Sequence, residues 1–289
     1  MRVHLARFLV TLVVAALAIP CGWYLWDYYM DTPWTRDARV RADIIQIAPD
    51  VAGMVSDVAV IDNQEVKEGD LLFKIDKERY QLALNEANAT LGSHKAQLAQ
   101  AQRDLARVSK LSTVSISVAQ QEQYRSAVDV TSAEVQAAEA ALNTAKLNLA
   151  RTEIHAPADG FVTNLQLRRG NYLNAGTAAL ALIDRKSFYI SGYFEETKLP
   201  RIAIGDAVEI MLMGVAKPLN GKVTGIASGI VDHERSSSPN LLANVNPTFT
   251  WVRLAQRIPV RIDFNSVPDG VKLVAGQTAT VVVQEPGKK

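Results

Sequence analysis

The sequence predicts a mainly β protein interrupted by a long α-helical coiled-coil hairpin and preceded by an N-terminal transmembrane helix. Three observations carry that prediction. Two β-like stretches repeat at one offset: Gly53 pairs with Gly160 and Gly69 with Gly176, both 107 residues apart. A period shared by two turn glycines sets the architecture before any local reading. Between the stretches run sustained seven-residue repeats with no proline from Pro49 to Pro157. Ahead of both, Phe8 to Trp26 is nineteen residues without a charge.

That apolar segment is close to the ~20 residues a helix needs to cross a bilayer. Arg2 and Arg7 precede it, while Asp27 and Asp31 follow, so the positive-inside rule leaves the N-terminus cytoplasmic and the bulk of the chain exported. Trp23, Tyr24, Trp26, Tyr28 and Tyr29 crowd the exit end, where amphipathic rings favour the headgroup layer. A cleaved signal peptide is the competing reading, with Ala16-Leu17-Ala18 as its small-residue site. Apolar character continues through Ile19 and Leu25 without a polar break, which favours the uncleaved anchor. A lipoprotein reading of Cys21 has Pro20 where a small residue is wanted.

With residues 1–30 as cytoplasmic stub and anchor, 31–46 read as a linker. The first β half spans 47–76, with Val55, Val58, Val60, Val66, Leu72, Phe73 and Ile75 punctuated by Asp62-Asn63 and Glu68-Gly69-Asp70. The hairpin spans 77–152. Leu84, Leu91, Leu98 and Leu105 recur every seven residues, with Ala87, His94, Ala101 and Val108 three later. After a tip at 111–118 the pattern returns as Val128, Val135, Leu142 and Leu149, with Thr131, Ala138, Ala145 and Thr152. Such repeats in both arms predict a two-stranded antiparallel coiled coil, projecting on the order of 50 Å at 1.5 Å per residue. The second half follows at 153–185. From 186 to 285 short alternating runs separated by glycine and proline turns predict a small β-barrel, with 232–246 an exposed polar loop and 286–289 a tail.

Composition narrows the function. Lysine and arginine total 31 against 30 aspartates and glutamates, a formal charge of +1, which gives no electrostatic case for nucleic acid. One cysteine excludes an intramolecular disulfide, and the four histidines are scattered without ligand spacing. No phosphate loop, dinucleotide fingerprint, zinc-protease helix or nucleophile elbow occurs. The chain is therefore read as non-enzymatic, with no cofactor.

Split β halves of this type resemble lipoyl and biotinyl carrier domains, the barrel-sandwich hybrid, which modify a lysine in the turn joining the halves. Lys77 lies near that place, but the hairpin replaces the tight turn a carrier requires. The whole order (anchor, half lipoyl-like domain, hairpin, second half, barrel) resembles the periplasmic adaptors, or HlyD-like membrane fusion proteins, of bacterial tripartite efflux pumps. Gly192-Tyr193-Phe194-Glu195-Glu196-Thr197-Lys198-Leu199 and the run from Asn246 to Ile262 are similar to the barrel of the drug-exporting branch, and the second run looks most like adaptors of p-hydroxybenzoic acid efflux.

The resemblance implies a single-pass inner-membrane protein with a periplasmic body. Its implied partners are an inner-membrane transporter of aromatic acid exporter type, an outer-membrane TolC-type channel, and further copies of itself in a hexamer. It implies channel contact at the hairpin tip through an arginine, a leucine four residues on and a serine eleven after the arginine. Arg107 and Leu111 match; position 118 is Val, with Ser117 one residue early. Gly53, Gly69, Gly160 and Gly176 are expected as turn glycines of the lipoyl-like halves; Arg253, Arg257 and Arg261 are read either as solvated charges of a barrel strand or as residues facing an aromatic carboxylate cargo. The rival readings are a type I protein-secretion adaptor, marked by longer hairpins, and a lipoyl or biotinyl carrier subunit.

Overall fold

The computed structural model describes residues 2–26, 32–110, 117–230, 255–268 and 270–284. Leu111, Arg253, the middle of the hairpin tip, the polar loop 232–246 and the tail 286–289 lie outside the described residues. The chain divides into two compact units, Met1–Asp43 with Ser187–Lys289, and Ile44–Lys186.

The first element, α1 (Arg2–Trp26), is a 25-residue helix with Pro20 inside it. Its side chains are described at Arg7 and over 11–23, and all of these are exposed. Among the described residues no helix is long and apolar enough to cross a membrane; the uncharged stretch Phe8 to Trp26 runs past the described side chains at both ends.

Next comes a strand where the sequence reads as a linker. β1 (Trp34–Arg41) and β2 (Ile44–Ile47) occupy most of 31–46, and that reading is corrected. β1 is charge-rich, yet Thr35, Ala38 and Val40 point inward and are buried. Its alternation is broken by a bulge between Thr35 and Ala38. The Thr35 hydroxyl donates to the Tyr193 carbonyl at 2.8 Å and accepts the Asp37 N–H at 3.1 Å, satisfying the backbone that the bulge unpairs.

The second unit is built from two intertwined halves. The first supplies β2, β3 (Gly53–Val58), β4 (Glu65–Val66) and β5 (Leu71–Ile75). After the helices α2 (Glu78–Ser109) and α3 (Val118–Ala150), the second supplies β6 (Glu153–His155), β7 (Gly160–Thr163), β8 (Tyr172–Leu173) and β9 (Leu180–Asp184). The two sheets run β2-β9-β7-β4 and β6-β5-β3-β8. Exchanging the halves (β2 for β6, β3 for β7, β4 for β8, β5 for β9) converts one order into the other, so each sheet takes two strands from each half.

The pseudo-twofold extends to single hydrogen bonds at the offset read from the sequence. Asn63 N–H donates to Val162 O and Gly170 N–H to Val55 O, both at 2.9 Å. Gly69 N–H donates to Ala156 O at 2.8 Å and Gly176 N–H to Pro49 O at 2.9 Å. Both inner faces meet in one core that includes Val55, Leu72, Phe73, Val162 and Leu182, all fully buried. Neither half has a sheet or core of its own.

The hairpin leaves this unit where β5 pairs antiparallel with β6, Lys74 opposite Glu153. α2 begins with the Asp76 carboxylate accepting the Glu78 N–H at 2.9 Å, a favourable placement of negative charge at a helix start. At its foot the Tyr80 hydroxyl donates to Ala52 O at 2.6 Å. Thr152, buried, receives the Ile75 N–H on its carbonyl at 2.8 Å. Beyond the foot the helices hold only each other: Leu91, Val135, Ala138 and Leu142 are buried, with Leu84, Ala87 and Leu98 packed beside them. These are heptad positions. His94, in the same register and partly buried, reaches across to Glu134 of α3 at 3.5 Å, and Lys95 bridges to Glu139 at 3.0 Å.

The first unit closes a six-stranded barrel. β10 (Tyr189–Glu195), β11 (Ala207–Leu212), β12 (Leu219–Ile226), β13 (Arg257–Phe264) and β14 (Thr278–Val283) join β1 in the order β1-β10-β13-β12-β11-β14. β1 pairs with both β10 and β14; without it those two edges would stand open. Val40, Ile190, Phe194, Ile210, Val260, Ile262 and Val281 fill the interior at 0% exposure.

Candidate functional site

Three places carry the residues expected to act: the hairpin tip, the interlocked turns of the second unit, and the outer face of the barrel.

At the tip, α2 ends at Ser109 and α3 begins after the cap residue Ser117. The sequence stops α2 without proline or glycine, and Ser117 starts α3 because its extended backbone lets its hydroxyl accept the Gln120 N–H at 3.3 Å. Arg107 lies in the last turn of α2, where a cation complements the helix dipole, and reaches Asp104 at 3.2 Å with 72% of its side chain exposed. Ser117 and Arg107 thus flank one end of the hairpin. A shallow groove between the helices there is lined by Leu105, Ala106, Ser109, Val118, Gln121 and Arg125. Val118, in the position where the resemblance wants serine, is 73% exposed. Lys77, the carrier candidate, precedes α2 as its cap residue, not at the apex of a β-turn.

The four glycines divide into two kinds. Gly69 and Gly176 have φ of +87° and +76° and sit in turns that favour glycine. Gly53 and Gly160 open strands and are corrected from turn glycines to close-approach glycines. A Cβ on Gly53 would lie 2.5 Å from the Ile75 Cγ2, and one on Gly160 would overlap the Ile183 carbonyl oxygen. Beside Gly69 the halves are tied by polar contacts. Asp159 accepts the Glu68 N–H at 3.0 Å and pairs with Lys186 at 3.3 Å. The Glu68 amide, then Lys186, hold the Asp159 carboxyl below its ordinary value.

On the barrel, Arg257 and Arg261 sit four apart on β13 and both face outward. Arg257 pairs with Asp37. Arg261 bonds Asp263 at 3.2 Å and lies 3.9 Å over the Tyr189 ring. Cargo contact through either would displace an existing pair. The face also holds residues not expected from the sequence. Arg41, then Ser191, hold the Tyr193 phenol below its ordinary value, and Trp34 is flanked by Arg36 and Lys198, each 5.3 Å from its ring. The outward alternation of charge in Trp34–Arg41 was the available signal.

Two family models match the chain side by side. Residues 43–185 match the barrel-sandwich hybrid domain of RND membrane fusion proteins, and residues 187–284 match an AAEA-like β-barrel domain. Over 283 residues the chain is 42% identical to the uncharacterized protein YdhJ of Escherichia coli (strain K12), covering 98% of this chain and 99% of that one. The chain belongs to the membrane fusion protein family. Among solved structures, this membrane fusion protein shares its fold with the membrane fusion protein Spr0693 of Streptococcus pneumoniae R6, at a TM-score of 0.64 and 15% identity; the match covers 86% of this chain and 97% of that one. It also shares the fold of MacA from Actinobacillus actinomycetemcomitans, at a TM-score of 0.65 and 19% identity, covering 88% and 80%.

Proposed function

We propose that this membrane fusion protein is the non-enzymatic periplasmic adaptor of an efflux assembly, coupling an inner-membrane transporter to an outer-membrane channel of the TolC type. One observation carries the reading. β5 and β6 are neighbours in one sheet, yet the chain leaves between them for a 32-residue and then a 33-residue helix. Among the described residues that excursion adds no strand, and its apolar cluster is separate from the sandwich core. At 1.5 Å per residue it is about 48 Å of reach, supplied to place a tip far from its base.

In this account α1 is a single inner-membrane anchor with the N-terminus cytoplasmic and the bulk periplasmic. Leu12, Val14, Leu17, Ile19 and Trp23 are all more than half exposed, and a lipid phase removes that apolar surface from water at ~25 cal/mol per Å². The tip residues Arg107, Leu111 and Ser117 contact the channel. Two helices cannot enclose a duct, so hairpins associate side by side; Leu82, Val130 and Leu147, exposed by 68%, 54% and 49%, supply surface for that contact. Six copies are what the adaptor family implies, and an aromatic carboxylic acid cargo is what the resemblance of the barrel run Asn246 to Ile262 implies.

The test is excision. Because β5 and β6 are already paired, a two-residue turn can replace residues 78–150 and leave a β-hairpin there. The shortened chain should keep both β units, by circular dichroism and hydrogen exchange, and lose export of hydroxybenzoate from cells. Export retained by the folded, shortened chain would refute the adaptor reading.

A further inference from the structure

We infer that the outer face of β1, β10 and β13 is a docking surface for an acidic segment of a protein partner. The register builds the surface: Arg39 lies opposite Ser191 and Ser191 opposite Arg261, forming one cross-strand row. The next row is Arg41, Tyr189 and Asp263, continued by Lys222 on β12. In-row neighbours across a sheet stand ~4.8 Å apart, so two guanidinium groups flank one hydroxyl across about 10 Å.

Charge is what distinguishes these rows. Four cations face one carboxylate, Asp263, which Arg261 already holds at 3.2 Å. Among the described residues Arg39 and Arg41 pair with no carboxylate, and both are exposed. Further along the same strands the charges cancel, since Arg257 pairs with Asp37 and stands opposite Glu195. The basic excess is therefore local to the Arg39 and Arg41 end of the face.

Shape and composition choose the kind of occupant. An outward barrel face is open, whereas small-molecule sites are concave. Arginine and tyrosine are the side chains that dominate protein–protein binding energy, and Arg39, Arg41, Arg261, Tyr189 and Tyr193 are gathered here. Arg261 lies 3.9 Å over the Tyr189 ring, a stacked pair of the kind that restricts both side chains before a partner arrives. A second copy presenting the strand face of β11 and β14 would be a poor complement. The outward positions there are Glu209, Met211, Thr278, Thr280 and Val282, with a single carboxylate among them. The inference rests on the adaptor reading in taking the partner as another subunit of the same assembly.

The probe is a fluorescein-labelled oligoglutamate peptide, added to the full chain in nanodiscs of neutral lipid and followed by anisotropy. We expect saturable binding that weakens as NaCl rises, and that falls about tenfold or more in Arg39→Glu with Arg41→Glu. The corresponding alanine pair should give an intermediate loss, while Arg103→Glu, an exposed hairpin residue outside the tip groove, changes nothing; circular dichroism verifies that each variant is folded. Binding that is unaltered in the glutamate pair overturns the inference. So does displacement of the peptide by inorganic phosphate at equal charge, which would mark a small-anion seat. Vesicles rich in phosphatidylglycerol binding through the same arginines in place of peptide would mark a lipid surface, and arginine-dependent self-association a second copy; either overturns it. Failure of the adaptor reading is read separately, from export by the hairpin-excised chain.

Discussion

Replacing Gly160 by alanine should unfold the second unit far more readily than replacing Gly53, its pseudo-symmetric partner. At Gly160 the new Cβ would overlap the Ile183 carbonyl oxygen, and it would lie 3.1 Å from the carbonyl carbon and 3.2 Å from Leu182 Cδ1. The obstacle is backbone, so β7 must move away from β9 by roughly an ångström, a distance set by ordinary van der Waals contact. That movement breaks the pairing of Gly160 to Thr163 with Asp184 to Ala181. Overpacking of this kind costs about 3 kcal/mol or more. At Gly53 the obstacle is one side-chain methyl, Ile75 Cγ2 at 2.5 Å, which can rotate away for about 1 kcal/mol. Because the protein has two units and a single melting transition cannot be assumed, the assay is hydrogen exchange with mass spectrometry of the full chain, read at peptides covering β7 and β9. Gly160→Ala should lose protection there by a factor of at least 10, by ~1.4 kcal/mol per decade, beyond any loss in Gly53→Ala. Equal losses, or a larger one in Gly53→Ala, would refute the reasoning.

Other consequences follow from the same geometry. Leu142→Ala removes one of the four buried side chains that hold the helices together and should destabilise the hairpin by about 2–3 kcal/mol, seen as faster exchange in α2 and α3 with the barrel strands unchanged. Asp159 has its folded-state value depressed below the ordinary 3.8, so its stabilising contribution is present above that value and disappears as pH falls through the folded one. Asp159→Asn should flatten the acid limb of a urea-denaturation series below about pH 4 and leave neutral-to-alkaline behaviour parallel to the parent. Ser117→Ala removes the α3 cap and should fray the first turn by about 1 kcal/mol, measurable as faster exchange at 118–121.

The parts of the fold most legible in the sequence were those with a repeat. The offset between Gly69 and Gly176 reappears as matched hydrogen bonds, because two copies of one strand–turn pattern meet around a pseudo-twofold. The heptads of Leu91, Val135 and Leu142 mark the helix contact, since only a seven-residue spacing keeps one seam facing its partner. β1 was illegible for the opposite reason. Two of its three buried positions are small or polar (Thr35, Ala38), a bulge shifts their alternation, and the strands it joins lie roughly 150 and 240 residues away in sequence. Sequence also cannot distinguish a glycine needed for positive φ from one needed for close approach, which is why Gly53 and Gly160 were grouped with Gly69 and Gly176. The outer barrel face escaped notice because its charge is assembled across three strands, while each strand alone reads as an ordinary solvated edge.

The most direct test of the adaptor account is site-specific photocrosslinking from the hairpin tip, with the photoreactive residue at Leu111 or Ser115, in cells that produce the outer-membrane channel. The account predicts a crosslinked species containing this chain and the channel, diminished by Arg107→Glu. Crosslinks solely to other copies of this chain, or none at all while the protein is folded and membrane-bound, would contradict it.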